Sequence, residues 1–535
     1  KTTGMTINGW DAATDGTRYM IENMPELLDT AFEFYFDEDS RYLFLRLPNG
    51  ENPNSLHFEI VNDFGKFSLT HVSNIEIAGL NFKYIEGPSI DVTGDCQNIT
   101  MSHLDFSYLM DIAITGNQGR DLEFYQKWRE STNGYFASDM DNIRVTDSNF
   151  ENNWSEGVHF AWSKSDHAPF HFLGHVDVLR NRLYNNGIRQ RGNTQNSISQ
   201  IRLDYPETVE VAGNIVDRSW GSGIMIHGSH QGKGDKMPKS FPLSRLLVHH
   251  NKTLHTNRAN NDYGGLSLWQ AGSLYSYNNN IGSAVGHNPG WTNLAYPYYL
   301  DAGFKMYGFN NIIWGRTTDD SDLYYNKTPG YFSVFGHLNQ FINNTVYRQA
   351  KGAGGSVGNR NDTLGNVYAE ISEEFIANSR GDDPSIIGGG GGSLLSINGV
   401  PSLAYGNNVF HGDAVAGELT TVEGGDAGDI NADKIADMAV QMANYDGDGL
   451  RYAELGVESD DQVLGGYAGF GSMSDTLEAD FRLLGGSPAI DYGVDYFIPW
   501  GLYACVGEWT FNADHTDPTT VLDFSFFLTG AHYNR

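Results

Sequence analysis

The feature that most constrains this chain is a recurring asparagine followed by a short β-branched or apolar run. It occurs at Asn98-Ile99, Asn214-Ile215, Asn251-Lys252, Asn280-Ile281, Asn311-Ile312, Asn344-Thr345, Asn366-Val367 and Asn408-Val409. The steps are mostly about 20 to 40 residues, the range of solenoid repeats. Asparagine tolerates the left-handed backbone angles that tight turns demand, and asparagines stacked at equivalent turns can hydrogen-bond to one another. Between them lie segments that alternate with a period of two: residues 89–93, 111–115, 157–160, 201–204, 223–227 and 265–268. Such alternation suits strands with one wet face. No helical crossover pattern separates these strands, so the expected fold is all-β, a right-handed parallel β-helix. An antiparallel sandwich or a propeller would show regular hairpin signals, which are not evident.

Three regions are expected. Residues 1–66 read as a β cap, with a hairpin formed by 33–37 and 42–47 turning at 38–40, because the end of a solenoid exposes apolar core and must be covered. Residues 67–412 read as the coils, with inserted loops at 117–140 and 229–242. The first insertion spaces Leu122, Phe124, Tyr125 and Trp128 like a short amphipathic helix. Residues 413–535 read as irregular coils and a C-terminal cap, helical over 432–443. Insertions into a solenoid gather on one face and wall a cleft.

Composition narrows the function. Lys and Arg number 34 against 66 Asp and Glu, a net charge of −32, the opposite of the basic footprint that nucleic acid requires. No stretch approaches the roughly 20 apolar residues of a membrane span, so neither nucleic acid nor membrane is an expected partner. Starting at Lys1 without Met, the sequence is read as one whose targeting segment has been removed or trimmed, and a secreted or periplasmic location is expected. The two cysteines, Cys96 and Cys505, exclude a disulfide framework and leave either one long-range bridge or two buried thiols.

If the apolar members of each strand point inward, the alternates form outward rows. One row holds His159, Arg202, Met225, Ser267 and Tyr299; a second holds Asp204, His227, Trp269 and Asp301. Carboxylates, imidazoles, an arginine and aromatic rings in one groove suit a carbohydrate site, where rings stack on sugars and paired acids handle protons. The candidate acids are Asp262 and Asp301, with Asp204 and Glu156 as substitutes. His159, Arg202, His227, Trp269 and Tyr299 are the candidate sugar-binding residues. In residues 444–449 Asn444, Asp446 and Asp448 alternate with Gly449 in sixth place, resembling a calcium loop, although Glu454 falls one position short of the usual bidentate acid. A calcium held there would be structural, and no cofactor is required. No His-Glu-x-x-His, Cys-x-x-Cys or Gly-x-Ser-x-Gly occurs, so zinc hydrolase and serine esterase chemistry lack support.

With its repeated Asn-Asn-Ile/Val coils (Asn310-Asn311-Ile312, Asn407-Asn408-Val409), its leading strands over 34–37 and 43–45 followed by Pro48-Asn49-Gly50-Glu51, and its closing Gly486-Ser487-Pro488-Ala489-Ile490-Asp491, the chain resembles the pectin-lyase-like superfamily. The leading segment is similar to that of β-helical glycoside hydrolases such as family 141 enzymes and the β-helical fucanases. The resemblance implies a glycoside hydrolase acting on an anionic, sulfated algal polysaccharide, fucoidan-like by preference. A marine origin would account for the acidic surface, since high salt screens repulsion of an anionic glycan. Arg180, Arg182, Arg189, Arg191, Lys233, Lys236 and Lys239 flank the groove by sequence and offer cations for such a substrate. Polysaccharide lyases of the same superfamily, resembling chondroitinase B and the family 6 alginate lyases, use a lysine base and an arginine; here Arg202 has no lysine on an adjacent strand, and Lys305 is the nearest substitute. A non-catalytic glycan-binding solenoid is the third reading.

Overall fold

The structure is a computed structural model that describes residues 24–31, 33–59, 65–117, 140–161, 173–188, 199–204, 206–228, 245–258, 263–269, 272–282, 284, 295–301, 304–315, 329–334, 339–347, 349, 351–356, 361–369, 371, 374–380, 403–406 and 409–411. The chain winds through three parallel sheets of 11 strands each, and every coil contributes one strand to each in turn, a parallel β-helix. Sheet I contains Phe67–Thr70, Ile90–Thr93, Ile114–Asn117, Val158–Ala161, Ser199–Asp204, Ser222–His227, Gly264–Trp269, Tyr296–Asp301, Pro329–Val334, Lys351–Ser356 and Glu374–Arg380. Sheet II runs from Ser73–Ala78 to Leu403–Gly406 and sheet III from Asn81–Lys83 to Val409–His411. Before the coils, Phe34–Asp37 and Tyr42–Leu45 pair antiparallel, with Phe34 opposite Leu45.

Inward residues of all three sheets form one continuous core that includes Ile90, Val158, Phe160, Leu203, Ile226, Leu268 and Tyr298. Equivalent positions stack along the axis: the rings of Phe82, Phe106 and Phe150 lie flat on one another at 4.9 and 4.8 Å. Cys96 is a buried free thiol in this interior; Cys505 lies outside the described residues.

The expected asparagine stack is present at the corner between sheets II and III. Asn181, Asn214, Asn251, Asn279, Asn311, Asn344 and Asn366 are all buried. Each of the first six donates its backbone N–H and its side-chain amide to the side-chain oxygen of the next, at 2.7–3.1 Å. Their second amide protons go to backbone oxygens such as Val178 O and Val211 O, so nothing polar in the ladder is left unmet. The residue before each rung is in the left-handed region, as in Arg180, His250, Asn278, Asn310 and Asn343.

Three expectations change. Asn279 forms the rung in place of Asn280, because the rung is the residue after the left-handed turn position, here Asn278, and Asn280 already begins the strand Asn280–Ile281. Asn98 belongs to a separate exposed ladder with Asn74 and Asn142. The strand expected over 111–115 begins instead at Ile114, because the Asp111 carboxylate accepts the Ile112 N–H and makes a turn there. Asn408, the helical readings in 121–132 and 432–443, and the calcium-like loop with Asn444, Asp446 and Asp448 lie outside the described residues. No helix among the described residues is long and apolar enough to cross a membrane.

Candidate active site

The outward rows read from alternation are registered rows of sheet I. His159 pairs with Arg202, Arg202 with Met225, Met225 with Ser267, and Ser267 with Tyr299. Asp204 pairs with His227, His227 with Trp269, and Trp269 with Asp301. Parallel pairing holds the rows about 4.8 Å apart per strand, which places Asp204 and Asp301 about 14 Å apart along the sheet.

The rows do not behave as a wet polar face. Asp204 and Arg202 form a two-pronged pair, Nε to Oδ1 at 3.0 Å and Nη2 to Oδ2 at 3.1 Å, with only 4% and 12% of their side chains exposed. Burial would push the Asp204 carboxyl up, but the Arg202 charge, with the His227 imidazole 3.5 Å away, outweighs it and holds the carboxyl well below the usual carboxylate range. Burial likewise works against the Arg202 charge and is overcome by Asp204, Glu156 and Tyr263, so the guanidinium is held more firmly protonated than usual. Asp204 is therefore fixed as an anion and suits the role of anchor better than that of proton donor or base.

On the preceding coil, Glu156 sits just before the strand Val158–Ala161. Its Oε1 accepts the Ser199 N–H at 2.9 Å, and its Oε2 meets Nδ1 of His159 in a short contact. Gly157 sits between them in close quarters: a Cβ there would lie 2.5 Å from Leu183 Cδ2 and 3.1 Å from Gln200 O, so a larger residue would have to displace the Leu183 side chain. Nε2 of His159 is buried without a hydrogen-bond partner among the described residues.

Toward the other end, the Trp269 ring covers the His227 ring, and half-buried Asp301 lies beside Trp269 in register. Tyr299 is buried against Tyr296, with ring centroids 4.8 Å apart. The structure thus brings Glu156, His159, Arg202, Asp204, His227, Trp269, Tyr299 and Asp301 onto one sheet. Asp262 lies outside the described residues. Tyr263, which sequence reasoning passed over, influences Arg202 from the start of a strand two coils on; only its place one residue before Gly264–Trp269 could have signalled it.

Two of the expected flanking cations sit elsewhere. Arg180 is at the corner between sheets II and III, paired with Asp147 at 2.7 Å, and Arg182 is on sheet III over the Tyr184 ring. Closeness in sequence to a groove strand does not place a residue on the same face, because each coil turns through all three sheets. Arg189, Arg191, Lys233, Lys236 and Lys239 lie outside the described residues, and Lys305 is on a strand of sheet II, Phe304–Phe309. Among the described residues, no group of three His, Cys, Asp or Glu is placed to hold a metal ion.

No protein-family model matches this chain, and no curated protein matches it either.

Proposed function

We propose that this protein is a secreted glycoside hydrolase of pectin-lyase-like kind, acting on an anionic, sulfated polysaccharide laid along sheet I. The observation that carries the reading is the buried, charge-paired row on an outward face, Glu156 and His159 through Arg202 and Asp204 to His227, continued by Trp269 and Asp301. Burying ions is costly unless they are paired, and strongly perturbed groups gathered on one face are characteristic of reaction sites. An aromatic ring beside a carboxylate, Trp269 next to Asp301, suits a bound sugar ring. The two-carboxylate form of the reading pairs Asp301 with Asp262. Asp204 and Asp301 alone are too far apart for the 6.5–9.5 Å of an inverting pair or the roughly 5 Å of a retaining one.

One observation favours a second reading, β-elimination on a uronate. Nε2 of His159 has no partner among the described residues and His159 is in register with the cationic Arg202, and an imidazole beside a guanidinium is the combination needed to remove a proton next to a carboxylate. A panel of fucoidan, carrageenan, alginate and chondroitin sulfate separates the readings. New reducing ends without the ultraviolet absorbance of an unsaturated uronate support hydrolysis, and both signals rising together support elimination. Binding without either signal points to a glycan-binding solenoid.

A further inference from the structure

The two carboxylates nearest Arg202 are each engaged by an imidazole, Glu156 by His159 and Asp204 by His227. Glu156 and Asp204 are 6% and 4% exposed in their side chains, against 15% for His159 and 8% for His227. Glu156 has both oxygens engaged, one by the Ser199 N–H and one by Nδ1 of His159. A carboxylate bound to Nδ1 keeps the proton on that nitrogen and leaves Nε2 as the basic one. Nε2 of His159 is also the atom left without a partner among the described residues. Leaving a buried polar atom unmatched is costly, a demand that a bound water or substrate hydroxyl would satisfy.

We infer that, in the proposed hydrolase, His159 is the catalytic base and Glu156 is a positioning residue that acts only through it. This rests on the hydrolytic reading above and replaces the direct role that sequence gave Glu156. In the step, Nε2 of His159 takes a proton from a water molecule as that water's oxygen forms a bond to the anomeric carbon. The bond from that carbon to the glycosidic oxygen breaks with its electron pair, and the departing oxygen takes a proton from a second water molecule. His159 then releases its proton to solvent, which restores that water, so the net change is one water consumed.

The test uses His159→Asn, His159→Gly and Glu156→Gln in the full chain, assayed on whichever glycan of the panel the wild type cleaves. Asparagine keeps a donor where Nδ1 was, so the contact to Glu156 survives, but it has nothing at the Nε2 position. His159→Asn is expected to lose about 100-fold or more in kcat with KM within about threefold of wild type. Added imidazole is expected to restore turnover to His159→Gly, which a merely structural histidine would not allow. Glu156→Gln, which keeps an acceptor for Nδ1–H but not the charge, is expected to lose about 10- to 100-fold in kcat with KM unchanged. Circular dichroism melts identify any variant that fails to fold, and the imidazole titration of His159→Gly then decides. If His159→Asn turns over within about threefold of wild type, or imidazole restores nothing to a folded His159→Gly, the role of His159 is overturned while the hydrolase stands. A wild type that cleaves no member of the panel overturns the hydrolase itself.

Discussion

Trp269 lies flat against His227, ring centroids 4.1 Å apart and planes 13° from parallel, so the largest ring of the candidate site is one wall of a stack whose other member touches the buried ion pair. Sugar binding at Trp269 and the electrostatics at Asp204 are thereby joined through one imidazole. Trp269→Ala is expected to raise KM for the cleaved glycan about three- to tenfold, from the usual 0.5–1.5 kcal/mol of a ring contact. An unchanged KM would remove Trp269 from the binding surface.

Asp301 shares that end of the groove, about 19 Å along the sheet from the strand of His159 by four strand steps. If His159 is the base and Asp301 only binds sugar, Asp301→Asn raises KM and leaves kcat within a few-fold. A fall in kcat of about 100-fold or more would instead place the chemistry on the Asp262 and Asp301 pair. Steady-state kinetics of Asp262→Asn and Asp301→Asn side by side decide between them.

The Arg202–Asp204 pair is buried, and removing one member strands the other. Asp204→Asn is expected to destabilise the protein by about 3–5 kcal/mol. The double change Arg202→Met with Asp204→Leu is expected to recover most of that loss in denaturant titrations while abolishing turnover. A double variant no more stable than the single one would mean that the pair holds the sheet together rather than serving the site.

A second charged network, on sheet II, sets a pH dependence. His175 Nε2 lies 2.9 Å from Asp177 Oδ1 and Nδ1 lies 2.8 Å from the Thr208 hydroxyl, while Arg144 grips Asp177 Oδ2 at 2.7 Å. The hydrogen bond to Asp177 raises the imidazole above its ordinary value, burial opposing it; Asp141 adds to the rise and Arg245 works against it. A raised folded-state pKa gives stability that is full below the unfolded value of about 6.5 and is lost as pH climbs through the folded value. For Asp177, burial would raise the carboxyl, but His175 and Arg144 outweigh it and lower it, so its contribution is present above about pH 3.9 and is lost on acidification through the folded value. Melting temperatures are therefore expected to fall on going from neutral to mildly alkaline pH. His175→Gln should flatten that slope; an identical slope in the variant would refute the assignment.

The ladder rung Asn251 has its side chain fully engaged inside the corner, whereas Asn98 is exposed. Asn251→Ala is expected to cost about 2–4 kcal/mol, the loss from orphaning several buried groups, against under about 1 kcal/mol for Asn98→Gly at its left-handed position. Equal losses in urea titrations would contradict the ladder as a source of stability.

Much of this was legible in sequence because a strand has a strict period of two. Once 201–204, 223–227 and 265–268 were taken as stacked strands, the rows through Arg202 and Asp204 followed, and the structure registers them. Turns carry no such period, and the errors collect there. Asn280 was read for Asn279, Arg180 was taken for a groove residue although it turns the opposite corner, and the contact between Glu156 and His159 went unseen because it bends around Gly157 at the strand entrance. Burial depth was not legible either: nothing in Asp204 or Glu156 as letters says that each is buried against an imidazole. The sheet II network was missed because Arg144 and Thr208, which complete the His175–Asp177 pair, come from separate coils.

The asparagine ladder has a consequence for how such a protein varies over time. Successive rungs are separated by 33, 37, 28, 32, 33 and 22 residues, yet each reaches the next by the same pair of hydrogen bonds. The ladder thus measures distance in space and ignores distance along the chain. A lineage can lengthen or shorten the loops between rungs, and so reshape whatever lies over sheet I, without disturbing the corner that keeps the coils aligned.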